Sequence, residues 1–212
     1  MMNKICLIAT LVMASLTAKA QTHISIVAAP QLNTNIGVRA GADFDFALGK
    51  SNFSFVPGLY WSLRNCDYSA SVSADGVTQA ICEANDKSHW ITIPLRFAYN
   101  IKKGSEKLQT QILFGPYVAF GLGGTTTVTN KLNGVEYGNI GSFDNNGFYD
   151  RRFDMGLNVG ANFIIRKHFV VGIFGELGFL PLGNDLSNTI GGILASAFSI
   201  NLGAGLNLGY RF

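Results

Sequence analysis

Charge is scarce in this chain: Asp, Glu, Lys and Arg make up 14% of 212 residues, and the net charge is +3. No Lys/Arg cluster is interleaved with aromatics, which argues against a nucleic-acid partner. Histidine occurs three times, as His23, His89 and His168, and no His or Cys pair has the spacing of a metal-ligand set. Neither a metal nor another cofactor is expected. Cysteine also occurs three times and never as C-x-x-C, so a redox dithiol has no support. Beyond the first twenty residues no apolar run approaches the about 18 residues of a spanning helix. A chain of this kind that enters a membrane must do so as strands.

The first twenty residues read as a targeting leader. Lys4 supplies a positive charge, residues 5–16 form a short apolar core, and Ala18-Lys19-Ala20 fits the A-x-A cleavage rule. Residues 1–20 are therefore expected to be removed, leaving 21–212 as one mature domain. Cys6 leaves with the leader. Cys66 and Cys82 remain as an even pair in an exported protein, and one disulfide closing an outer loop is expected.

What the chain has in abundance is glycine, 25 residues, and strict alternation. In residues 196–212, Phe198, Ile200, Leu202, Ala204, Leu206, Leu208, Tyr210 and Phe212 share one face. Ser199, Asn201, Gly203, Gly205, Asn207, Gly209 and Arg211 share the other. A period of two is a β-strand. The same alternation runs through 24–32, 36–48, 53–64, 91–101, 108–122, 153–166 and 169–179, weakest in the last, where Val170 and Phe174 fall on the polar side. Eight strands result. The connections 49–52, 102–107 and 167–168 are short, whereas 66–88, 126–151 and 183–195 are long; 33–35 alone is short on the long side.

Alternation alone does not decide which face is outside, but residue size does. Phe, Trp, Leu and Ile on every apolar face would overfill a narrow interior, while the polar faces are rich in Gly, Ser and Asn. Aromatics also gather in two bands near the strand ends, as in interfacial girdles. The expected fold is all-β: an eight-stranded antiparallel up-and-down transmembrane β-barrel with its apolar face in lipid.

Particular motifs add to this. Ile93-Pro94-Leu95, Phe114-Gly115-Pro116-Tyr117-Val118, Phe153-Asp154-Met155-Gly156-Leu157 with Gly160, and Leu208-Gly209-Tyr210-Arg211-Phe212 occur in order along the chain. In these the sequence resembles the porin-like outer-membrane β-barrel family of Bacteroidetes, the PorT-like group. The resemblance implies an eight-stranded barrel in the outer membrane of a Gram-negative bacterium. By analogy it also raises a role as an accessory of protein export.

Nine charged residues fall on inward faces: Arg39, Asp43, Asp45, Arg64, Arg96, Asp154, Arg166, Glu176 and Arg211. Buried charge must be paired. An eight-stranded interior is just wide enough for side chains to fill, so a polar plug of salt bridges is favoured over an ion path. Of the histidines only His89 lies near the outer rim with acid and hydroxyl neighbours, Glu83, Asp86 and Ser88, and an enzyme is not expected. The expected role is structural or interaction-based, through outer loops such as 125–150, with a narrow pore for small solutes as the alternative. Expected partners are outer-membrane lipid, the barrel-assembly machinery reading the terminal strand that ends in Phe212, and a protein at the outer loops.

Overall fold

The computed structural model describes residues 22–74, 77–101, 107–130, 133–144, 148–181 and 200–212. The expected leader and the 183–195 connection lie outside them. Among the described residues nine antiparallel strands are present: β1 Thr22–Leu32, β2 Ile36–Ala47, β3 Phe53–Ala74, β4 Val77–Ile101, β5 Leu108–Asn130, β6 Val135–Gly141, β7 Phe153–Ile165, β8 Phe169–Pro181 and β9 Ile200–Arg211. Each of β1 to β5 pairs with the next, β5 pairs with β7, and β7, β8 and β9 follow in order. The ring closes through β9 on β1, where Ser25 faces Arg211 and Leu32 faces Ala204. Eight strands therefore make a closed up-and-down barrel, and closure leaves no sheet edge inside the wall.

The ring has the expected eight strands, and the ninth, β6, lies outside it, paired with β5 alone. The connection expected at 66–88 is not a loop. β3 and β4 continue through it as a paired ladder, Cys66 opposite Asp86 and Ala74 opposite Val77. β5 likewise runs on to Asn130, turns at Asn133–Gly134 and returns as β6, with Thr125 opposite Gly141. Gly134 sits at φ 69°, a conformation glycine adopts without penalty, and its N–H donates to the Asn130 carbonyl at 2.8 Å. A four-stranded sheet thus projects from one end of the barrel. Among the described residues the opposite end carries the short turns 48–52 and 166–168.

Wall polarity follows the alternation. Leu59, Ile93, Phe114, Val159, Ile173 and Leu206 point outward and are exposed, whereas Tyr60, Thr92, Asn158 and Asn207 point inward and are buried. The outward apolar row ends near Leu63 on β3 and begins again near Ile91 on β4. Residues beyond that level belong to the projecting sheet.

The Cys66–Cys82 disulfide is not present. Cys66 faces Asp86, and Cys82 faces Ala70, four positions further along the ladder. At about 3.3 Å per residue that is roughly 13 Å, against a limit of about 7 Å between bridged Cα atoms. Cys66 is a free thiol, hydrogen-bonded by the Tyr149 hydroxyl at 3.7 Å. Burial pushes the Cys66 thiol up from its ordinary value, with the Tyr149 hydrogen bond pulling the other way. Alkylation of the native, non-reduced protein should therefore be slow at neutral pH and quicken as pH is raised. Mass spectrometry after denaturing trapping should find two thiols, and a product lighter by two hydrogens that resists trapping would contradict this register.

Candidate functional site

The lumen is built from the inward rows of all eight ring strands. Of the nine charges expected there, eight are inside and form four ion pairs. At the turn end, Arg211 Nη2 donates to Asp45 Oδ2 at 3.0 Å, and Gln111 donates to the same oxygen at 2.7 Å. Above it Arg96 pairs with Asp43, which also accepts the Tyr60 hydroxyl at 2.6 Å. Then Arg39 Nη1 donates to Glu176 Oε1 at 2.8 Å, and Asn158 donates to that oxygen at 3.0 Å. Nearest the projecting sheet, Arg64 Nη1 meets Asp154 Oδ2 at 3.3 Å, joined there by Tyr117 at 2.9 Å and Asn201 at 2.8 Å. Four guanidinium groups meet four carboxylates, and these eight charges cancel.

Arg166 is the exception and corrects the expectation. It lies exposed in the turn between β7 and β8, at φ 50°, followed by Lys167 at φ 67°. The left-handed turn breaks the period of two, so parity counted along β7 no longer gives direction at its end.

Aromatic side chains inside the lumen were legible only in part. Phe174, which weakened the β8 alternation, lies inward with Tyr60; the Arg39 guanidinium sits 3.8 Å and 3.9 Å from the two ring centroids. Trp90 has the same parity as Thr92 and Arg96, and Arg64 lies 4.4 Å from its ring. Flat rings on guanidinium faces replace water around a buried cation while the edge donates to a carboxylate. The narrow interior thus accepts large rings because they stack on arginines.

A second closure sits at the outer mouth. Tyr149 N–H donates to the Ser142 carbonyl at 2.8 Å, folding the connection between β6 and β7 back over the lumen. Phe143 and Tyr149 meet Trp90 edge-on at 5.3 Å each, and Phe148 packs on Tyr149 at 4.8 Å. Gly121 makes room: a Cβ there would collide with the Phe143 ring. Beside these rings Trp90 donates to Ser88 at 3.0 Å, and Thr126 donates to Asp86 at 2.8 Å. Asp86 is fully buried, and desolvation pushes its carboxyl above the usual carboxylate range, with the Ser142, Ser88, Thr126 and Tyr149 hydroxyls pulling the other way. Burial also holds the Tyr149 hydroxyl well above the ordinary tyrosine value.

The grouping around His89 is taken apart by the wall. Asp86 and Ser88 face inward, while His89 faces outward and stacks on Trp61 at 5.6 Å and 21°. Alternate residues of one strand cannot share a face with their neighbours. Among the described residues no group of three or more His, Cys, Asp or Glu side chains could hold a metal ion.

Comparison with known proteins agrees with this architecture. No curated protein matches the chain. Among solved structures, a major outer membrane protein from Thermus thermophilus shares 12% identity, covering 90% of this chain and 99% of its own, with a TM-score of 0.53. Ail of Yersinia pestis (12% identity, 92% and 99% coverage, TM-score 0.40) and the N-terminal β-barrel domain of Pseudomonas aeruginosa OprF (13%, 92% and 100%, 0.38) are also similar. Residues 12–184 match the model of the outer membrane protein beta-barrel domain, most of the chain. This chain therefore belongs to the outer membrane protein beta-barrel domain family and resides in the outer membrane.

Proposed function

We propose that this protein is a plugged outer-membrane barrel whose role, structural or interaction-based, is carried by the sheet and loops at its outer end. The observation that carries this reading is the pairing of all four interior arginines with carboxylates at successive depths, under an aromatic cover. An ion entering such a lumen must break a buried pair and leave its charges uncompensated. The rigid wall then serves as a platform, and function belongs to what it holds outside the membrane. In this reading the leader is removed after Ala20, the Phe212 strand is read by the barrel-assembly machinery, and the finer kinship is with the PorT-like group.

Barrels of this class place short turns in the periplasm and long connections outside. A peptide tag inserted at Gly134, the exposed turn between β5 and β6, should be reached by antibody on intact cells. Labelling only after the outer membrane is broken would reverse the orientation and remove the outer-platform reading.

A further inference from the structure

The turn end of the barrel is chemically unlike the outer end. Its described turns hold Lys50, Lys107, Arg166 and Lys167, all exposed, and no acidic side chain apart from Asp45, which is inside and paired with Arg211. In sequence, residues 102–106 bring two further lysines against one glutamate. The outer end instead carries Asp67, Glu83, Asp86, Glu136, Asp144 and Asp150 against Lys87, Arg151 and Arg152 among the described residues.

Three of the cations lie together. The Arg166 N–H donates to the Lys107 carbonyl at 2.8 Å, tying the start of β5 to the turn between β7 and β8. That turn is closed by His168 N–H to the Ile165 carbonyl at 3.1 Å, and both central residues, Arg166 and Lys167, hold positive φ. Hairpin turns with two such residues favour Asn-Gly, because side chains with a Cβ are disfavoured there. Two long cations occupy the strained positions instead. Strain kept in this way points to a use for the side chains it displays.

The neighbouring surface tells what that use is. His168 stacks on Tyr210 at 5.3 Å and 8°, its Nδ1 2.9 Å from the Arg211 carbonyl oxygen. Tyr210 meets Phe169 and Phe212 edge-on at 5.8 Å and 5.0 Å, and all three are exposed on the lipid face. Cations one step beyond an aromatic girdle stand at headgroup depth, where aromatic rings and Lys/Arg both favour the interface.

We propose that Arg166 and Lys167, with Lys107 beside them, bind the phosphate of an anionic phospholipid in the periplasmic leaflet, its acyl chains lying on Phe169, Tyr210 and Phe212. The proposal rests on the short turns being periplasmic. The assay below reads lipid preference alone, so it fails separately from that orientation.

The test is native mass spectrometry of the purified full-length barrel released from nanodiscs holding equal phosphatidylglycerol and phosphatidylcholine. The wild type should retain phosphatidylglycerol over phosphatidylcholine by about tenfold or more, at roughly fivefold per cation near the surface. Arg166→Asn with Lys167→Gly installs the favoured turn, so this variant should fold at least as well and lower the ratio to no more than the roughly fivefold that Lys107 alone supports. Arg166→Lys should keep most of the preference, as should Lys50→Gln in a separate turn. No preference in the wild type, or an undiminished one in the folded double variant, overturns the proposal. So does an equal loss with Lys50→Gln, which assigns the effect to overall charge. Loss of lipid adducts to excess inorganic phosphate would make this a soluble-phosphate site and overturn the lipid assignment.

Discussion

Glu176→Ala is expected to destabilise the folded barrel by about 3–5 kcal/mol, the range for removing one member of a buried ion pair. Glu176 and Arg39 are almost wholly shielded from solvent, at 2% and 1% side-chain exposure. The carboxylate oxygen that Arg39 reaches is also the acceptor for Asn158. Removing it strands a guanidinium between Tyr60 and Phe174, whose faces lower its cost but cannot replace an anion. A second substitution, Arg39→Leu in the Glu176→Ala background, should recover much of the loss, because the pair contributes less together than either charge costs alone. Urea-dependent folding into lipid vesicles measures both. A single variant within about 0.5 kcal/mol of wild type would mean that water reaches this level of the lumen.

Leu202→Arg should cost about 2–4 kcal/mol in the same assay, the range for a cation on the lipid face near mid-membrane. Leu157, Leu177 and Leu202 face one another across β7, β8 and β9, forming an outward belt at one level. Leu202 is 66% exposed on the isolated chain, an arrangement that suits hydrocarbon rather than water. Asn158 stands next to Leu157 but points inward to Glu176. Asn158→Ala should be the milder change, about 1.5 kcal/mol, the lower end for one lost hydrogen bond to a charged group. If Leu202→Arg left stability unchanged while Asn158→Arg was costly, the faces would be reversed.

Most of the wall was legible because membrane strands must alternate. Wherever one face meets lipid, as from Phe153 to Ile165, parity gives direction without ambiguity. Signal is lost where that demand ends. Beyond Leu63 and before Ile91 neither face has to meet lipid, so the β3–β4 ladder carries Ser, Ala and Asn with no apolar row and reads as a loop. The register of that hairpin, not the closeness of two cysteines in sequence, decides whether they meet, and Cys66 faces Asp86 instead. Parity places the eight paired lumen charges but cannot choose their partners: Arg39 and Glu176 lie 137 residues apart. The Trp90, Phe143, Phe148 and Tyr149 cover follows from a chain reversal at Ser142 that has no periodic signature.

The claim that four ion pairs and an aromatic cover close the lumen is tested most directly by electrical recording. Purified, refolded protein in planar bilayers should give no steady conductance above background at any polarity, and Glu176→Ala should be the place to look for leak if the variant still folds. Reproducible, ion-selective single-channel steps from the wild-type protein would contradict the closed lumen and put a narrow pore in its place.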